Sequence, residues 1–151
     1  MVGLLIRHGQ AAELVRELTW APLVAVYTSP LERAVETAHP LANDHGLDVH
    51  VRPALTDVDF GESPGGEALA DVQRRVVDEL MTLAKSHQGE TIAIVTHAEP
   101  IRCALAALTG QTLDDVLSIE IFPARVSAVG ITHSGVLQVL GVNLPPSEVT
   151  V

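Results

Sequence analysis

The sequence is short of cysteine, aromatic rings and positive charge. A single cysteine, Cys103, excludes an intrachain disulfide and favours a reducing compartment. It stands among alanines and leucines, as a packed core residue does. Aromatic side chains are 3% of the residues against 47% hydrophobic overall, so the core must be built from Ala, Val, Leu and Ile. Nine basic residues face nineteen acidic ones, for a formal charge of −10. That balance lacks the basic footprint that nucleic acid and anionic membrane surfaces require, so neither is expected as a partner. Lys85 is the only lysine, the other basic residues being arginine, which an arginine-rich genome explains as readily as function does. No apolar run approaches the ~20 residues that span a bilayer, and the opening M-V-G-L-L-I lacks the charged region and length of a signal peptide. A cytoplasmic protein is expected. A chain of 151 residues fits one domain over 1–151, long enough to bury roughly two-thirds of its unfolded surface.

What is present alternates between two periodicities. Gly3–Ile6, Leu23–Thr28 and Thr91–Thr96 are short apolar runs that predict buried strands, and Asp48–Val51 is a shorter candidate. Between them lie helical patterns. Residues 10–19 place Ala11, Leu14, Val15 and Leu18 on one face. S-P-L-E predicts a helix start, with Ser29 as cap, Pro30 in the first turn and Glu32 completing a capping box; His39-Pro40 should interrupt that helix. Pro53–Gly66 reads as loop, and Glu67–His87 as a long helix with Leu69, Val72, Val76, Leu80 and Leu83 inward. A further helix follows His97 and stops at Gly110. Ile119–Phe122, Arg125–Thr132 and Val136–Val142 read as strands, the last two joined by a turn at 133–135, and the tail from Asn143 as irregular. The expected fold class is α/β: a three-layer α/β/α domain with a mainly parallel central sheet, helices on both faces and a C-terminal edge hairpin.

In such a sheet the carboxyl ends of the parallel strands share one edge, where ligands bind. The first strand delivers Arg7 and His8 there, the second Ser29 and then Arg33, and the fourth His97. Two guanidiniums and two imidazoles make a positive socket for a tetrahedral oxyanion, because arginine grips phosphate oxygens in a planar, bidentate way. A histidine flanked by cations stays neutral and nucleophilic, so His8 could attack phosphorus while Arg7, Arg33 and His97 stabilise the equatorial oxygens. The socket neutralises the charge itself, so neither a metal nor a cofactor is required. A leaving alkoxide needs a proton, and L-T-D-V-D-F-G-E supplies Asp57, Asp59 and Glu62 as candidate acids. The remaining histidines, at 39, 45, 50, 87 and 133, lack metal-ligand spacing and read as solvated. Arg74-Arg75 among acidic helical neighbours reads as a solvated face, and Arg102 as a surface or salt-bridge residue.

These blocks resemble the histidine phosphatase superfamily, which includes phosphoglycerate mutases and small-molecule phosphatases. Its R-H-G signature stands at Arg7-His8-Gly9, its S-P-L-x-R-A-x-x-T-A block at Ser29–Ala38, its L-x-E-x-x-F-G block at Leu55–Gly61 and its S/T-H strand end at Thr96-His97. The resemblance implies His8 as the phosphorylated nucleophile, Arg7, Arg33 and His97 as the phosphate pocket, and Asp57 as acid and then base, an aspartate where the family usually carries glutamate. It implies a phosphatase of small phosphate monoesters, with a mutase as the alternative and a non-catalytic phospholigand-binding scaffold as a third reading. A small phosphorylated substrate is the implied partner; the oligomeric state is left open, a dimer included. Two departures stand out. The family's long loop after R-H-G is absent, so Gln10 runs straight into a helix, and Gly61-Glu62 passes at once to S-P-G-G-E. Either the pocket is pared down and open, or two mobile loops are missing from the sequence.

Overall fold

The computed structural model describes residues 1–59, 67–132, 134–135 and 137–150. Six strands form one sheet in the order β3-β2-β4-β1-β5-β6. The first four in that order, β3 (Val49–Val51), β2 (Leu23–Thr28), β4 (Thr91–Thr96) and β1 (Val2–Arg7), are parallel. β5 (Val126–Ile131) runs antiparallel to β1, and β6 (Leu137–Leu144) antiparallel to β5, which is the expected edge hairpin.

The alternation of side chains along each strand divides the core in two. Leu5, Ile92 and Ile94 meet α3 (Leu69–Ser86) and α4 (Ala98–Thr109) on one face, through Val72, Val76, Leu80, Leu83, Ile101 and Leu105. Leu4, Ile6, Ala93 and Val95 meet α1 (Ala11–Leu18) and α2 (Glu32–Asp44) on the other, through Leu14, Leu18, Ala38 and Leu41. Apart from Tyr27, the described core is made of small, branched and other aliphatic side chains, and alanine lets helices approach the sheet closely. Gly110 ends α4 in the left-handed conformation at φ 73°, which favours glycine. Among the described residues no helix is long and apolar enough to cross a membrane.

Four expectations are corrected. α2 begins at Glu32 rather than at Pro30, and Leu31, not Ser29, is its N-cap residue. α2 also runs through Pro40: that residue and Glu36 lie on the exposed face, where water can satisfy the carbonyl that proline leaves unbonded, while Leu41 and Ala42 hold the next turn to the core. Ile119–Phe122 is not a strand; it follows a 3-10 segment, Leu113–Ser118. The carbonyls of Ile119 and Ile121 accept instead from Arg102 Nε (2.7 Å) and Arg7 Nη1 (2.7 Å), so side chains take the place of a ladder. Finally, the tail turns at Pro146–Glu148 and buries Val149 at the α1/α2 face.

Candidate active site

Register decides which polar residues meet. Arg7 pairs with Thr96, and Thr28 with Val95, so the exits of β1, β4 and β2 lie side by side at one edge of the sheet. Arg7 and His8 leave the first exit, Ser29 the second and His97 the third, with Arg33 in the first turn of α2. α4 starts directly after His97 and α2 shortly after Ser29, so two helix N-termini with their partial positive charge begin at this edge.

The turn out of β1 is tightly held. His8 N–H donates to Thr96 O (3.1 Å) and Gly9 N–H to Thr37 Oγ1 (2.9 Å). Gly9 lies at φ 132° with Pro123 packed where a side chain would stand, 3.0 Å from the position of a Cβ, so the turn needs glycine. Gln10 follows directly, left-handed at φ 41°, and caps α1. The chain thus passes from β1 to α1 in a three-residue turn, His8, Gly9 and Gln10; the second shortened junction, at Glu62-Ser63, lies outside the described residues.

Five predicted residues, Arg7, His8, Arg33, Asp57 and His97, come together at this edge. Arg33 links two of the others: its Nε donates to His8 Nε2 (3.3 Å) and its Nη2 to Asp57 Oδ2 (3.2 Å). Asp57 Oδ2 is also 3.9 Å from His97 Nδ1, and the rings of His8 and His97 stand edge to face with centroids 5.1 Å apart. Of the other candidate acids, Asp59 is bound through its backbone to Glu67, and Glu62 lies outside the described residues.

The hydrogen bonds assign the imidazole nitrogens. A guanidinium cannot accept, so His8 Nε2 must carry its lone pair towards Arg33 and the ring proton sits on Nδ1. His97 Nε2 is 2.7 Å from Ser29 Oγ, which also accepts from Leu31 N–H (3.2 Å). Ser29 therefore serves the histidine rather than the helix cap, because its hydroxyl is fully buried against His97. Among the described residues, His97 Nδ1 is buried without a hydrogen-bond partner, on the side of the ring that faces Asp57. An orphaned buried nitrogen in a cluster of cations suits an incoming oxyanion.

Burial holds the His97 imidazole down to about 4, reinforced by His8, Arg33 and Arg7 and opposed by Asp57. Burial also lowers His8, with Arg33 and then Arg7 adding to it against Asp57. Both rings are thus neutral at neutral pH. The unfolded chain takes up protons near 6.5 while folded His97 resists until about 4, so stability present above that window is lost as the pH falls through it. The unfolding temperature should drop more steeply across this range in the wild type than in His97→Asn. Equal slopes would remove His97 as the cause.

Several residues read as solvated are structural. His45 Nε2 bonds Leu18 O (3.0 Å), and His87 bridges Tyr27 Oη (2.7 Å) and Glu90 Oε1 (2.9 Å). His133 lies outside the described residues. Arg102 pairs with Glu99, as expected of a salt-bridge residue, and also binds the Ile119 carbonyl. Arg74 is solvated as expected, but Arg75 is largely buried and bonds the segment that carries Asp57. The missed signal is its helical position: three residues after Val72 and next to Val76, Arg75 borders the buried stripe of α3.

Comparison with known proteins bears on the fold and the family. The chain is 28% identical over 148 residues to phosphoserine phosphatase 1 of Hydrogenobacter thermophilus, covering 80% of this chain and 70% of that one. Among solved structures, YhfR of Bacillus stearothermophilus superposes with a TM-score of 0.87 at 21% identity, covering 99% and 98% of the two chains. The α-ribazole phosphatase of Shigella flexneri superposes with a TM-score of 0.81 at 21% identity over the whole of both chains. The family model of the histidine phosphatase superfamily, branch 1, matches residues 8–65 and 61–144, and the chain belongs to that superfamily.

Proposed function

We propose that this protein hydrolyses small phosphate monoesters through a phosphohistidine at His8, with no metal in the reaction. One observation carries the reading: the Arg33 guanidinium is shared between His8 Nε2 and Asp57 Oδ2, so the nucleophilic lone pair and a carboxyl group flank one cationic docking point. The phosphate takes the place of the Arg33 bonds to His8 and Asp57, with Arg7, Arg33 and the orphaned His97 Nδ1 on its oxygens. His8 Nε2 attacks phosphorus; the P–O ester bond breaks, and its electron pair leaves with the Asp57 proton as an alcohol. Asp57, now a carboxylate, takes a proton from water, whose oxygen attacks phosphorus as the P–N bond breaks. Inorganic phosphate leaves, and His8 is neutral again.

The name of the Hydrogenobacter relative makes phosphoserine the first natural substrate to try. The expected result is turnover of an aryl phosphate that vanadate inhibits and EDTA leaves unchanged, with an acid-labile, base-stable phosphoryl group trapped on His8. Loss of activity in EDTA with recovery on adding a divalent metal overturns the metal-free pathway. Passage of the phosphoryl group to an added second alcohol in preference to water indicates a mutase, and binding without turnover a scaffold.

A further inference from the structure

We propose that Arg75 is a positioning residue for proton transfer, holding Asp57 at the leaving group without touching its carboxylate. This rests on the reading of Asp57 as the acid given above. Arg75 projects from α3, and all five of its N–H groups are engaged. Nη1 donates to Ala54 O (2.6 Å) and Thr56 O (2.7 Å), Nη2 to Asp57 O (3.1 Å) and Glu67 Oε1 (3.0 Å), and Nε to Glu67 Oε2 (2.9 Å). Thr96 Oγ1 donates to Leu55 O (2.6 Å), so the four successive carbonyls from 54 to 57 are all held by side chains of α3 and β4.

Residues 56–59 belong to no helix or strand. Their place depends on this clamp, and Glu67 closes it: Glu67 N–H donates to Asp59 O (2.7 Å) while its carboxylate takes the Arg75 fork, which lowers its pKa. Arg75 is thus fully committed to the main chain and to Glu67, and leaves the Asp57 side chain to Arg33, His97 and the Val58 N–H, which donates to Asp57 Oδ1 (2.8 Å). A planar five-donor fork matches two carbonyls and a carboxylate at once; an ammonium at that position cannot. General acid catalysis depends on such placement, since a shift of about 1 Å takes the carboxyl out of reach of the leaving oxygen.

A merely structural role predicts equal losses on all substrates, whereas loss of a general acid is selective. A nitrophenolate leaves without help, and an alkoxide does not. The test compares kcat/KM for p-nitrophenyl phosphate and for an alkyl monoester such as phosphoserine, in the same preparation of the full chain. This parameter covers only the steps up to leaving-group release, and the ratio of the two values is independent of the folded fraction. Arg75→Met and Arg75→Lys should each lower the alkyl value on the order of 10²-fold and the aryl value less than ~10-fold. Glu67→Gln should give a smaller loss of the same selectivity, and it carries the test with Arg75→Lys if Arg75→Met does not fold. Asp57→Asn should show the selectivity in full. If Asp57→Asn is selective and the Arg75 and Glu67 variants are not, the positioning role is overturned. If Asp57→Asn itself lowers both values equally, the acid assignment fails first, and the proposal with it.

Discussion

His8→Ala should abolish turnover of every phosphate monoester, with a loss on the order of 10⁴-fold or more, as removal of a covalent nucleophile does in other enzymes. Aryl phosphates should be lost as completely as alkyl ones, because without the imidazole there is no acceptor for the phosphoryl group whatever its leaving group. The fold should survive, since the His8 side chain is half-buried at a strand exit and contributes to neither apolar cluster. Its amide bond to Thr96 O is made by the main chain and remains. Binding should persist as well: Arg7, Arg33 and His97 still present their donors, so vanadate or phosphate should protect the variant against heat. Residual turnover within tenfold of the wild type would sink the phosphohistidine pathway and leave direct attack by water.

Arg33→Met should be the next most damaging change, with kcat/KM down on the order of 10²- to 10³-fold, the size expected for removing a preorganised charged donor from an oxyanion site. Its second effect separates it from a simple binding defect. Arg33 is the first charged group, after burial, among those that lower His8. Removing it lets the His8 pKa rise. Because kcat/KM rises with pH as free His8 loses its proton, the acid limb of that profile should move to higher pH in Arg33→Met. The carboxylate of Asp57 also loses its 3.2 Å partner, so the alkyl substrate should suffer more than the aryl one. An unmoved acid limb in an otherwise impaired variant would show that His8 is not the group titrating there.

Strand and helix identities over residues 2–110 were legible, because each element carries one clear periodicity and its own stop signal, as at Gly110. Ile119–Phe122 was not legible: its apolar content resembles a strand, but whether a segment joins a ladder depends on which groups reach its carbonyls, and here two arginines from elsewhere in the chain reach them first. Ser29 misled in the same way. A serine that opens S-P-L-E has the local signature of a cap, yet burial against His97 redirected its hydroxyl.

By itself the sequence determined that a strand exit carries Arg7 and His8, that two later exits carry Ser29 with Arg33 and His97, and that an acid-rich loop lies between them. Those are properties of local pattern and chain order, which a linear string holds completely. The tertiary structure alone decided which nitrogen of His8 faces Arg33, that His97 Nδ1 has no hydrogen-bond partner among the described residues, that Asp57 meets the Arg33 guanidinium, and that Arg75 is a clamp and not a solvated charge. The physical reason is that hydrogen bonds to carbonyls and imidazoles are set by distances of a few tenths of an ångström between groups tens of residues apart. R-H-G marks the exit of β1; the register of β1 beside β4 and the fork of Arg75 determine what surrounds it.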